Sequence, residues 1–204
     1  MTDNDTTEQR NGYALLVAKP DATRDTLDIK ILDELQESGL SIVKTKYVTF
    51  TPEQATRLYD EKSQYNYFPQ LVDFMSSGPS LCLILKDEKE GEAVKKAKGY
   101  RDWARLNLKQ IRYDLTEEDT RMLSEGNHPM QREITREMAL ENLIHVSDDF
   151  CAQTPVLGEI FNSWDLAEIR DRDPELHSVL SEAKREVETN IEIQLYRSGS
   201  PEGR

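Results

Sequence analysis

Hydrophobic residues in the chain form short continuous runs separated by sets with helical spacing. YALLVA at 13–18 and SLCLILK at 80–86 are apolar runs of strand length, which predicts two buried strands. Residues 41–50 are rich in β-branched and aromatic side chains and roughly alternate, which predicts a strand exposed on one face. A shorter strand is predicted at 142–148, where apolar residues give way to polar ones. The pattern therefore predicts a sheet of at least four strands.

Helical periodicity fills the intervals between these runs. Apolar residues recur at helical spacing from Leu27 to Leu35, and Ser38-Gly39 supplies a stop because glycine tolerates a left-handed C-cap. Thr51 is a predicted N-cap, followed by proline at the first helical position. Further helices are predicted at 67–77, at 91–112 and from about 174 to 189.

Three segments give less regular patterns. Residues 113–131 are polar and acidic and contain the turn-formers SEGNHP, which predicts an irregular insertion. Mixed helical signals at 150–170 are broken by Pro155. IEIQLY at 191–196 predicts a last strand. The order of strands and helices predicts an α+β fold, a ferredoxin-like split βαβ antiparallel sheet with helices packed on it.

Charge and composition narrow the function. The chain carries 39 acidic against 26 basic side chains, a formal net charge of −13, so we expect no general binding of nucleic acid. Residues 87–112 nevertheless hold eight Lys/Arg against five Asp/Glu, enough for a local anion pocket. We also expect no membrane span and no signal peptide, and two widely separated cysteines suit a reducing compartment, so we expect a cytoplasmic protein.

Four segments carry the candidate chemistry: AKPDAT at 18–23; Tyr59 with YFPQLVDFMSSGP at 67–79; Arg132; and NLIHVSDD at 142–149. In this order and at this spacing, the chain resembles the nucleoside diphosphate kinase family. The resemblance covers residues 13–163, with an insertion at about 99–131. It divides the chain into a polar tail at 1–12, a kinase-like domain at 13–163 and a C-terminal extension at 164–204.

His145 is the predicted catalytic residue. A histidine at a strand end followed by serine and aspartate is an imidazole that its neighbours can hold in one tautomer, and neutral imidazole is a good nucleophile. The resemblance implies that His145 takes the γ-phosphate of ATP as a phosphohistidine and passes it to a second nucleotide in a ping-pong cycle. ADP and ATP are accordingly the expected ligands.

The resemblance also assigns roles to other residues. Supporting roles in catalysis are implied for Lys19, Tyr59, Ser147 and Glu159, the last as the carboxylate that orients the histidine. Nucleotide contacts are implied for Lys19, Tyr67, Lys98, Arg132 and Asn142. For two of these the alternatives stay open: Arg136 for Arg132, and Arg101 or Arg105 for Lys98. The resemblance implies that Mg²⁺ bridges phosphate oxygens, with little or no dedicated protein cage.

The chain also departs from the family pattern. Val146 replaces the glycine that usually follows the histidine, which predicts a tighter pocket. The family loop that supplies a threonine ligand has no recognisable counterpart, and the segment from Lys98 to Arg132 is longer and acidic. These departures keep two alternatives open: a nucleotide-sensing or scaffold domain with weak or no turnover, and a metabolite-binding regulatory domain without nucleotide chemistry. A homo-oligomer, at least a dimer, is expected.

Overall fold

The computed structural model describes residues 12–35, 38–89, 91–132, 134 and 140–199. The predicted tail at 1–12, apart from Gly12, and the alternative Arg136 lie outside the described residues. The chain forms two compact units, one that extends to Phe150 and one that begins at Cys151. Within the described residues, no helix is both long and apolar enough to cross a membrane.

The first unit is built on a four-stranded sheet. Its strands are β1 (Tyr13–Ala18), β2 (Ser41–Val48), β3 (Ser80–Lys86) and β4 (Ile144–Val146). They are ordered β2-β3-β1-β4, and each neighbouring pair is antiparallel. Helices connect β1 to β2 and β3 to β4 across an intervening strand, which makes two interlocked split βαβ units. The predicted ferredoxin-like α+β fold is confirmed.

The helices of this unit follow most of the predicted periodicity. They are α1 (Pro20–Arg24), α2 (Leu27–Leu35), α3 (Pro52–Leu58), α4 (Phe68–Met75), α5 (Ala93–Arg112) and α6 (Glu117–Ser124), with a 3₁₀ turn at Asp60–Lys62. Thr51 caps α3 as predicted, because its hydroxyl accepts from the Gln54 backbone N–H at 3.2 Å.

The prediction of an irregular segment at 113–131 is wrong where α6 lies. The Asp119 backbone N–H donates to Thr116 Oγ1 at 3.1 Å, and the Thr116 N–H donates to Asp119 Oδ2 at 2.9 Å. This reciprocal capping box satisfies donors that a helix start leaves unpaired. A short helix therefore forms within a polar sequence that buries none of its residues.

Strand alternation determines which side chains of β4 face the core. Ile144 and Val146 belong to the core that β1 and β3 share with α2 and α5. His145 pairs with Val17 across β1 and β4, and successive side chains on a strand point to opposite faces. The two core residues therefore anchor β4, while His145 emerges on the other face of the sheet.

The second unit is helical. It contains α7 (Phe150–Ile160, beginning at the end of the first unit), α8 (Ser163–Arg172) and α9 (Pro174–Gly199). Lys184 Nζ on α9 donates to the carbonyls of Gly158 and Phe161, both at 3.2 Å. A cation at the carbonyl end of α7 stabilises the C-terminus of that helix.

Two sequence predictions fail in this unit. Pro155 lies inside α7 and does not break it, because the Cys151 carbonyl that proline leaves without its N–H donor accepts the Thr154 hydroxyl at 2.9 Å. IEIQLY at 191–196 belongs to α9, although its residues alternate. Extending an existing helix needs no new nucleus, whereas a strand needs a partner. Ile191 and Ile193 consequently stay largely exposed.

Candidate active site

A cleft of about 220 Å³ opens beside β4 in the first unit. Its chemistry is mixed but dominated by positive charge: four cations, two carboxylates, three rings, an amide and two aliphatic side chains. These are Lys19, Lys62, Arg101, Arg105, Glu61, Asp148, Tyr59, Tyr67, His145, Asn142, Leu71 and Val146. The cleft carries the net positive charge that an anionic ligand needs, inside a chain whose overall charge is strongly negative.

His145 lies at the wall of this cleft as a neutral imidazole. Its pKa is lowered to about 3, mainly by burial and also by the charges of Lys19 and Arg105, with Asp148 partly opposing them. The Tyr59 ring packs against it with centroids 4.5 Å apart and planes inclined at 53°. Because the ring is neutral over the physiological pH range, its nitrogen lone pair is available to an electrophile.

The two nitrogens of His145 differ in their surroundings. Nε2 is buried and has no hydrogen-bond partner among the described residues. Nδ1 is not among the buried unpaired atoms, so it is the nitrogen that the cleft reaches. For Nδ1 to react through its lone pair, the neutral ring carries its single proton on Nε2. The geometry therefore favours Nδ1 as the reacting atom.

Lys19 is a buried cation at the end of β1. Its Nζ donates to the Leu140 carbonyl and, at 2.9 Å, to Asn142 Oδ1, and it lies 5.0 Å from the centre of the Phe74 ring. Burial lowers the pKa of Lys19 to about 7, while the charge of Asp21 partly opposes that effect. The Lys19 amine is protonated most readily when an anion enters the cleft.

Asn142 and Leu143 form a tight turn directly before β4. The Ile144 N–H donates to the Asn142 carbonyl at 2.8 Å around Leu143, whose φ is +68°, which is a classic γ-turn. The Leu143 carbonyl accepts from the Lys19 N–H at 2.8 Å, and its N–H donates to Asp21 Oδ2 at 3.0 Å. Leucine in this left-handed backbone costs on the order of 1–3 kcal/mol. The fold therefore holds strain at the residue that leads into the His145 strand.

Val146, in contrast, is unstrained. It pairs with Leu16 in the β1–β4 ladder and is not among the residues with positive φ. Its side chain is 4% exposed and belongs to the core. The backbone at this position therefore has no need of glycine, and the departure from the family pattern is accommodated by ordinary strand geometry.

Two arginines of α5 line the cleft. Arg105 donates from Nη2 to the Ile144 carbonyl at 2.6 Å and to Asn142 Oδ1 at 3.2 Å, and from Nε to the Asn142 carbonyl at 3.2 Å. Arg101 pairs with Asp102, Nη2 to Oδ1 at 2.8 Å. Since Asn142 Oδ1 accepts from both Lys19 and Arg105, its amide orientation is fixed and its NH₂ group is left to donate to a ligand.

Two tyrosines, Tyr59 and Tyr67, line the cleft, and a third stacks on Tyr67. Tyr59 is buried, its hydroxyl donates to Met75 Sδ at 3.6 Å, and burial raises its pKa above the ordinary value, so it stays protonated. Tyr67, 40% exposed, stacks on Tyr65 with ring centroids 5.3 Å apart and planes 12° from parallel. The Tyr65–Tyr67 stack offers a flat apolar surface at the cleft mouth, which suits a planar ring.

The structure brings five of the predicted residues together in this cleft: Lys19, Tyr59, Tyr67, Asn142 and His145. Ser147 lies just outside it, where its hydroxyl donates to the Asp149 carbonyl at 2.8 Å and shapes the loop after β4. Its role in catalysis stays a prediction.

Three predicted residues do not line the cleft. Lys98 forms an ion pair with Asp148. Arg132 is exposed. Glu159 lies on α7 in the second unit. Their roles also stay predictions.

The cleft contains residues that sequence reasoning did not select. Glu61 and Lys62 come from the 3₁₀ turn that follows Tyr59, and Asp148 is the residue after Ser147 in the histidine motif. The proximity of these residues to Tyr59 and His145 in sequence is the signal that would have found them. Arg101 and Arg105 are the alternatives that the sequence leaves open for Lys98, and the structure places both on the cleft.

Comparison with known proteins agrees with this architecture. The family model for nucleoside diphosphate kinase matches residues 13–163. The nucleoside diphosphate kinase of Thermoplasma acidophilum is 27% identical over 155 residues, which span 76% of this chain and 90% of that protein. The enzyme of the same name from Oleidesulfovibrio alaskensis is 39% identical over 72 residues, which span 35% of this chain and 52% of that relative.

A solved structure of Aquifex aeolicus nucleoside diphosphate kinase is similar with a TM-score of 0.47 and 26% identity, over 76% of this chain and 97% of that chain. The family match extends over most of the sequence and includes the whole four-stranded sheet and its cleft. On this match, the chain belongs to the nucleoside diphosphate kinase family.

Proposed function

We propose that this protein transfers the terminal phosphoryl group of a nucleoside triphosphate to a nucleoside diphosphate through a phosphohistidine at His145. The observation that carries the proposal is a neutral imidazole facing a cleft lined by four cations. Family membership supports the same reaction.

In the first half-reaction, the Nδ1 lone pair of His145 forms a bond to the terminal phosphorus. The bond from that phosphorus to its bridging oxygen breaks, and the nucleoside diphosphate leaves with the electron pair. In the second half-reaction, a terminal phosphate oxygen of another diphosphate attacks the same phosphorus, and the N–P bond electrons return to the imidazole. Cations around the cleft stabilise the charge that spreads over the equatorial oxygens.

The cleft also fits a nucleotide-bound magnesium ion. Mg²⁺ is usually held by one or two carboxylates together with substrate phosphates, and Glu61 and Asp148 supply two carboxylates at the cleft. When bound, the ion would be held by Glu61 and Asp148 and would neutralise charge on the phosphates. Asp148 already pairs with Lys98, which lowers the pKa of the carboxyl and keeps it ionised.

Broad acceptance of bases follows from the Tyr65–Tyr67 stack, because every base presents a π-face and stacking does not require a specific edge. We further propose that the protein works in the cytoplasm and assembles at least as a dimer. β2 supports the second proposal, because it is an edge strand with several exposed residues and with backbone groups that can pair with another chain.

The proposal is tested by exchange between ATP and a second nucleoside diphosphate, such as GDP. Wild-type protein with Mg²⁺ should form GTP with parallel lines in double-reciprocal plots, and His145→Gln should abolish the product. Tight nucleotide binding by calorimetry without any exchange would instead establish the nucleotide-sensing alternative.

A further inference from the structure

Arg101 and Arg105 lie one turn apart on α5 and both line the cleft. Residues at i and i+4 share a helix face, so one face of α5 delivers two guanidinium groups to the same space. The charges of both lower the pKa of His145, which places them within electrostatic reach of the imidazole. Arg105 also has a lowered pKa, through burial and then through the charge of Arg101. The two positive groups therefore repel each other, and a bound anion would reduce that repulsion.

Arg105 forms its hydrogen bonds with the segment around the γ-turn. All three of its hydrogen bonds go to the segment that leads into His145: two to Asn142 and one to the Ile144 carbonyl. That segment contains the strained Leu143, so it needs surrounding contacts to hold its geometry. Arg105 therefore fixes where Asn142 and His145 lie relative to the cleft.

Arg101 forms no hydrogen bond with that segment in the described structure. Its hydrogen-bonding and ion-pair partner is Asp102, a neighbour in sequence whose side chain is 64% exposed. An ion pair with so exposed a partner contributes little to stability, although the Arg101 side chain itself is 22% exposed. The Arg101 guanidinium is therefore able to turn toward a ligand at little cost, and its planar fork matches two phosphate oxygens.

We infer that the two arginines divide the work of the phosphate subsite: Arg101 binds the terminal phosphates directly, and Arg105 is a positioning residue that holds the Asn142–His145 segment. This inference rests on the proposed function and names the residues that serve it in this chain. The two family-pattern positions do not line the cleft: Lys98 pairs with Asp148, and Arg132 is exposed.

The test compares Arg101→Met, Arg105→Met and Arg132→Met in the full chain by steady-state exchange between ATP and GDP. Lys95→Met is the matched control, because it removes a positive charge from the same helix at a side chain that is 76% exposed and outside the cleft lining. Arg101→Met should raise KM for nucleotides roughly 10- to 100-fold, the loss expected for a hydrogen bond to a charged group. Arg101→Lys should recover part of that loss.

Arg105→Met should behave differently. We expect kcat to fall at least about 10-fold while KM changes only a few-fold. The reason is that loss of Arg105 would displace the nucleophile His145, whereas the groups that contact phosphate would stay in place. The pKa of His145, followed by NMR of its imidazole, should rise when the nearby charge is removed. A merely structural arginine would lower the melting temperature without this selective loss of kcat.

The outcomes distinguish failure of the proposed phosphoryl transfer from failure of the roles assigned to the two arginines. Exchange that persists in His145→Gln contradicts the proposed function itself. Exchange that depends on His145, with Arg101→Met indistinguishable from Lys95→Met and the KM increase found in Arg132→Met, overturns the inference alone. Equal KM and kcat effects from the two α5 arginines would overturn the division of roles. Far-UV circular dichroism checks folding, and Arg101→Lys and Arg105→Lys replace any methionine variant that fails to fold.

Discussion

The lowered pKa of Lys19 makes nucleotide affinity depend on pH in a predictable direction. In the free protein this pKa is about 7, whereas an ammonium held against phosphate oxygens has a raised pKa. The charged form that binds the anion is present below pH 7 and is lost from the free protein as pH rises through 7. Affinity for ADP should therefore weaken on the alkaline side, where the isolated side chain with a pKa of about 10.4 would still be charged.

The magnitude follows from the protonated fraction. With a free pKa of about 7, half of the Lys19 side chains are charged at pH 7 and roughly 3% at pH 8.5, so the apparent Kd should rise about 15-fold over that interval. The ADP phosphate is already about 90% ionised at pH 7, given a second pKa near 6, so its charge changes little over the interval. His145 and Tyr59 do not change charge there, since the pKa of His145 is about 3 and that of Tyr59 is raised above its ordinary value.

Isothermal titration calorimetry at pH 7, 7.75 and 8.5 measures this effect, and buffers of different ionisation enthalpy report the proton taken up at pH 7. Lys19→Met is the control, which should bind more weakly with little dependence on pH. A wild-type Kd that is constant across the interval, with no proton uptake, would refute the argument that burial holds Lys19 partly neutral.

Three further predictions concern packing, stacking and acid stability. Gly158→Ala should cost on the order of 1–3 kcal/mol in urea unfolding, because the added Cβ would lie 2.8 Å from the Lys184 backbone nitrogen, whereas Gly99→Ala, with no atom within 4 Å, should be neutral or stabilising. Tyr67→Ala should raise KM for purine and pyrimidine nucleotides alike by roughly 5- to 100-fold, and Tyr67→Phe should not; an effect limited to one base would contradict simple stacking. The pKa of His145 falls from 6.5 to about 3 on folding, so protonation below pH 6.5 favours the unfolded chain. Between pH 7 and pH 5, the free energy of unfolding should therefore fall by ~2 kcal/mol more in wild type than in His145→Gln. Equal losses in the two proteins would contradict this prediction.

The sequence predicts the elements that periodicity and composition determine locally. The runs at 13–18 and 80–86 become strands with these bounds, and α2 begins and ends where its apolar spacing does. His145 lies on the face of β4 opposite the core because its neighbours Ile144 and Val146 pack into the core. These outcomes depend on residues that are close together in the sequence, so the hydrophobic pattern is enough to predict them.

What the pattern misses depends on tertiary or capping contacts. IEIQLY alternates like a strand, yet it continues α9, because the helix that precedes it is already formed. The choice among Lys98, Arg101 and Arg105 was open in sequence, since all three lie on basic α5. The fold pairs Lys98 with Asp148 and places the two arginines on the cleft. Rotation of a helix about its axis decides such a choice, and only the packed structure determines that rotation.

The central claim is that His145 itself carries the phosphoryl group. Incubation with γ-labelled ATP and Mg²⁺, in the absence of an acceptor, should place one phosphoryl group per chain on Nδ1 of His145, acid-labile and base-stable, and added GDP should remove it as GTP. Label on another residue, or undiminished label in His145→Gln, would contradict the account.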